Sequence, residues 1–123
     1  MFRMFLVLAI IANIGYAHEM TPTYPKFRTS FVENVSVTTM KFWNRRVDVN
    51  YYEIGVFDEE WNALPFASSN RIIKVDYLEH KDFDIYVRRK DLDNVEYICT
   101  TSKLLKEQVT STGVKSMICS RVK

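Results

Sequence analysis

The sequence predicts an all-β sandwich of seven strands behind a secretory signal, and three observations carry that expectation. Short runs rich in β-branched and aromatic residues recur at a spacing of roughly ten residues, turn chemistry separates several of them, and the apolar N-terminus is too short to span a bilayer.

The N-terminus reads MFRMFLVLAIIANIGYAHEM, with one cation at Arg3, an apolar run from Phe5 to Ile14, and small residues at Gly15 and Ala17. That layout is the one of a cleavable signal peptide, cut after Ala17. A buried helix or an uncleaved tether is the alternative, but a spanning helix needs roughly 20 apolar residues. Residues 1–17 are therefore read as the signal and 18–123 as a single domain of 106 residues, enough for a modest core.

The strands follow in order. TPTYPKF holds two prolines and forms an extended entry suited to a sheet edge. Strands are then expected at 26–32, 35–43, 47–57, 71–78, 82–89, 95–102 and 113–122. WNRRVD, DEEWNAL and RKDLDN read as turns after the second, third and fifth runs. The clearest alternation sets Phe83, Ile85 and Val87 toward a core and Asp84, Tyr86 and Arg88 toward water. ALPFASSN reads as either a short edge strand or a loop, and SKLLKEQV as either a helical turn or part of a long closing hairpin. Of the aromatics Trp43, Tyr51, Tyr52, Phe57, Trp61 and Phe66, most are expected in the core. Tyr51 and Tyr52 fall on opposite faces, so at least one points outward.

Export bears directly on Cys99 and Cys119, the two cysteines of the chain. In an oxidising compartment they are expected to pair, whereas without export they would be two reduced, buried thiols. A metal site lacks ligands, since His18 and His80 have no useful spacing to them. The mature charge is +1, but it is uneven. Lys103, Lys106, Lys115, Arg121 and Lys123 stand against Glu107 in residues 99–123, which leaves a basic edge.

DNVEYIC, from Asp93 to Cys99, resembles the start of strand F in immunoglobulin domains, with Tyr97 at the position of that fold's corner tyrosine. With no cysteine upstream, the pairing implied by this resemblance is between Cys99 on strand F and Cys119 on strand G, in VKSMICSRVK. The whole mature chain then resembles the N-terminal immunoglobulin-like domain of periplasmic pilus chaperones, some of which carry an F-to-G disulfide. That likeness implies partner contacts along Val114 and Ile118 and a carboxylate anchor at Lys123, with Lys26 or Arg28 as its companion cation. The sequence also resembles small immunoglobulin-like proteins of marine bacteriophages.

Catalysis requires an oriented nucleophile or acid–base pair, and the sequence holds only scattered carboxylates and isolated histidines. DEE at 58–60 and NRR at 44–46 read as solvated turns, the latter with a lesser option of an anion contact, and NVS at 34–36 fits a glycosylation acceptor. Near-neutral charge argues against nucleic acid. The expectation is a non-enzymatic protein-binding or structural module, secreted or periplasmic and with a virion setting open. It has no cofactor or small-molecule substrate, and it meets membrane only through its signal. Its contact residues are Tyr51 or Tyr52. The alternative is a chaperone-like domain that binds by strand addition along its last strand.

Overall fold

In a computed structural model, residues 18–103 and 116–122 are described. They form eight strands: β1 (Glu19–Thr21), β2 (Arg28–Thr29), β3 (Val35–Trp43), β4 (Tyr51–Phe57), β5 (Ile72–Lys74), β6 (His80–Arg88), β7 (Tyr97–Lys103) and β8 (Met117–Arg121). A four-residue helical turn, α1 (Arg89–Leu92), occupies the predicted RKDLDN turn. The chain is all-β, in two antiparallel sheets.

In the first sheet β3 is central. It pairs along its whole length with β6, from Val35↔Arg88 to Trp43↔His80. Its other edge is shared by β1, opposite Lys41–Trp43, and β2, opposite Ser36 and Val37. The predicted first strand at 26–32 is thus reduced to two residues, and β1, unanticipated, takes the rest of the edge. Pro22 and Pro25 between them cannot donate to a ladder. The second sheet runs β5-β4-β7-β8. ALPFASSN travels between the sheets without becoming a strand, touching β4 by the bridge Phe57↔Ala63 and β6 by Ala67↔Tyr86.

The core lies between the sheets. Met40, Phe42, Phe83, Ile85 and Val87 face Tyr52, Ile54, Val56 and Ile98. The β6 alternation is as the sequence predicts, with Phe83, Ile85 and Val87 buried. On β4 the inward set is Tyr52, Ile54 and Val56, so Tyr51, Glu53, Gly55 and Phe57 lie on the outer face. The aromatic expectation fails: of the six aromatics named above only Tyr52 is fully buried, and Trp61 is 48% exposed. Phe66 packs partly buried against the core, and the remaining aromatics follow outward positions or turns.

Residues 1–17, expected to be a signal, and Val114, Lys123 and the SKLLKEQV segment beyond Lys103 lie outside the described residues. No helix among the described residues is long and apolar enough to cross a membrane.

Candidate functional site

The outer face of the second sheet is built by three strands in register. One row runs Phe57, Tyr97, Arg121, the next Gly55, Cys99, Cys119, and the next Glu53, Thr101, Met117. Cys99 and Cys119 are directly opposite, with α-carbons 4.1 Å apart, and form a disulfide. Gly55 is a glycine for a spatial reason: a β-carbon there would sit 2.7 Å from Cε2 of Phe57, whose ring lies over the strand.

Trp61 completes this surface from the turn after β4. Asp58 shapes the turn, its Oδ1 accepting the N–H groups of Glu60 and Asn62 at 2.9 and 2.8 Å, while its carbonyl accepts Trp61 N–H at 3.0 Å. These amide bonds hold the Asp58 carboxyl below its ordinary pKa. DEE is therefore a turn, as the sequence predicts. Trp61 takes φ 67°, a left-handed conformation that a bulky residue rarely adopts. It stacks flat on Tyr97, with centroids 4.1 Å apart and planes 4° from parallel, and lies 5.9 Å from Phe57. Tyr97 is thus half-buried in an external aromatic stack, and its hydroxyl makes no hydrogen bond among the described residues. Met117, 52% exposed, extends the apolar surface along β8. Asp58, Glu59, Glu60, Asp93, Asn94 and Glu96 line a depression nearby. Among the described residues no group of three or more His, Cys, Asp or Glu side chains could hold a metal ion.

Beneath the sheet, polar residues are fully committed to one another. NRR does not form the solvated turn expected of it: Asn44 and Arg46 are both buried. The Asn44 amide donates to the carbonyls of Val49 and Val75 at 2.7 and 2.8 Å, and its Oδ1 accepts Arg46 N–H and the Tyr52 hydroxyl at 2.9 and 2.6 Å. Arg46 grips Asp48 with Nε and Nη2 at 2.9 and 2.6 Å. His18 is also buried, against the mutually packed rings of Phe42 and Tyr52, with Nε2 3.0 Å from Thr100 Oγ1 and Nδ1 3.4 Å from Ser116 Oγ. Burial drives its pKa down to about 4, and burial pushes the Tyr52 hydroxyl up to about 12.

The named contact residues separate accordingly. Tyr52 is fully buried and hydrogen-bonded, which removes it from any surface contact. Tyr51 is half-buried on the outer face, at the far end of β4 from Phe57. Ile118 packs partly buried against the core, as does Val122. Lys26 is exposed, and Arg28 donates from Nη2 to Thr39 Oγ1 at 3.3 Å on the other sheet. Sequence reasoning missed Trp61 and Tyr97 as a pair, because one sits in a turn and the other on a strand 36 positions later.

The edge of β8 is partly open. The close Cys99–Cys119 approach marks a pair that is not hydrogen-bonded, so β8 turns the main-chain groups of Ser116, Ile118, Ser120 and Val122 toward β7. Val122 N–H reaches Glu96 O and Ser102 N–H reaches Ser116 O, both at 2.8 Å, in keeping with that phase. The groups of Met117, Cys119 and Arg121 then face away, and Arg121 N–H is taken by Thr23 O at 3.0 Å.

Comparison with protein-family models, with curated proteins and with solved structures finds no match to this chain.

Proposed function

We propose that this chain is an exported, non-enzymatic immunoglobulin-like module that binds a protein partner through the outer face of its disulfide-bearing sheet. The observation that carries the reading is the exposed Trp61–Tyr97 stack, set over a cross-linked sheet by a turn that holds Trp61 in a strained conformation. Aromatic residues on rigid elements are the commonest anchors of protein interfaces. Backbone strain of this kind persists where the surrounding structure fixes it, and it clusters at functional positions.

The immunoglobulin-like assignment draws support from strand order. The chain crosses between sheets from β3 to β4 and again from β6 to β7, which are the B-to-C and E-to-F crossings of that sandwich. Export draws support from the disulfide, which persists in oxidising compartments, and from the signal-like N-terminus. The test places a photo-crosslinking amino acid at Trp61, at Met117 or, as control, at exposed Lys41 on the other sheet. Capture of one partner from the assembled extracellular material by the first two and not by Lys41 supports the reading. Equal capture from all three overturns it.

A second reading, strand addition, rests on the outward main-chain groups of Met117 and Cys119. Met117→Pro removes one of those donors together with the side chain, without touching the β7 ladder, and Met117→Ala removes the side chain alone, so partner loss in Met117→Pro but not in Met117→Ala selects strand addition over the aromatic face.

A further inference from the structure

The connection from β2 to β3 ends in an apolar tip that none of the described residues covers. Phe31 is 110% exposed and Val32 59% exposed. The tip is nevertheless firmly built. The Ser30 hydroxyl donates to Val35 O at 2.6 Å and accepts Val32 N–H at 3.1 Å, and Val35 N–H returns to Val32 O at 3.3 Å. Asn34, with φ 64°, then passes its carbonyl to Arg89 N–H at 2.8 Å. That last bond ties the tip to the end of β6, where three consecutive cations stand: Arg88, Arg89 and Lys90. These cations, with Glu33, Asn34 and Val35, line a depression of about 540 Å³ beside the tip. Arg88 is paired with Asp91 at 3.1 Å, whereas Arg89 and Lys90 have no ion pair among the described residues.

We propose that this end of the domain docks onto an anionic lipid surface, with Phe31 and Val32 entering the headgroup and acyl boundary while Arg89 and Lys90 meet lipid phosphates. Two features favour lipid over a protein partner. The tip is convex and two residues wide, far short of the roughly 1,200 Å² that a stable protein interface buries. An apolar protrusion with Arg89 and Lys90 on one flank, and the single carboxylate of Glu33 beside them, needs no shaped partner in a bilayer, because the interface deforms around the tip and supplies phosphates at the level of the cations. The preformed turn also spares the tip most of the ordering cost on insertion. This contact is separate from the aromatic face of the second sheet, and it would hold the module near a membrane after loss of any signal.

The test uses the exported protein with vesicles of phosphatidylcholine alone or with about a third phosphatidylglycerol. Co-sedimentation at low salt is expected only with the anionic vesicles. Phe31→Ser should reduce partitioning about tenfold. Arg89→Gln with Lys90→Gln should reduce it roughly tenfold to thirtyfold. Neither change should alter the thermal midpoint. As a positional readout, the Phe31→Trp variant should show additional emission quenched by brominated lipids. Equal binding to neutral and anionic vesicles, unchanged partitioning in Phe31→Ser, or no added quenching in Phe31→Trp would each overturn the proposal. So would Phe31-independent binding of soluble glycerophosphate.

Discussion

Protonation of His18 should destabilise the fold in mildly acidic solution, because the buried ring has no place for a charge. Its pKa is about 4 in the folded chain against 6.5 when unfolded. Between these values the unfolded chain binds more protons than the folded one, so stability rises with pH and is lost as pH falls through the window. Each unit of difference corresponds to about 1.4 kcal/mol, so lowering the pH from roughly 7 to 5 should remove about 2 kcal/mol. Arg46 adds to the effect by repelling an imidazolium. The assay is urea unfolding at several pH values for the wild type and for His18→Gln, which does not titrate but can still donate to Thr100. Staying above about pH 5 keeps ordinary carboxylates ionised, and the variant subtracts what every group other than His18 contributes. Wild type should lose about 2 kcal/mol more than His18→Gln across the window. Parallel curves for the two proteins would refute the placement of His18 as a neutral, solvent-excluded ring.

The Cys99→Ser change removes a bridge spanning 20 positions and should cost roughly 2–4 kcal/mol by the chain-entropy estimate, read as a lowered urea midpoint under oxidising conditions with the β-sheet circular dichroism retained. Tyr52→Phe deletes a buried donor to Asn44 and should cost about 1 kcal/mol by the same titration. In Gly55→Ala the new methyl group must displace the Phe57 ring, so Trp61 fluorescence should shift while stability falls by about 1 kcal/mol or less.

The parts of this structure legible in sequence are those governed by local periodicity. The run 35–43 coincides with β3, and β6 buries the three residues that its alternation names. The same parity was available for β4: Ile54 and Val56 assign Tyr52 to the core, so the choice between Tyr51 and Tyr52 could have been made from the strand itself. NRR was misread because a polar triplet looks the same whether it faces water or a ring of loop carbonyls, and the carbonyl of Val75 lies 31 positions from Asn44. Burial of His18 similarly depends on Thr100 and Ser116, partners that no short window contains. The stack of Trp61 on Tyr97 carries no period at all, since a turn residue meets a strand residue only once both are folded.

The bonds joining His18 to Thr100 and Ser116, with separations of 82 and 98, tie the residue before β1 to β7 and to the approach to β8. Thr23 and Arg121 repeat the tie. For a polypeptide delivered N-terminus first into another compartment, the earliest segment to arrive must then wait for one of the latest. Contacts so distant form late, whatever the speed of the local strands. A chain halted before Ser116 would keep the bonds of His18 to Thr100 but lose those to Ser116 and from Arg121 to Thr23. Full fastening of the first strand is thus a record that synthesis ran as far as β8.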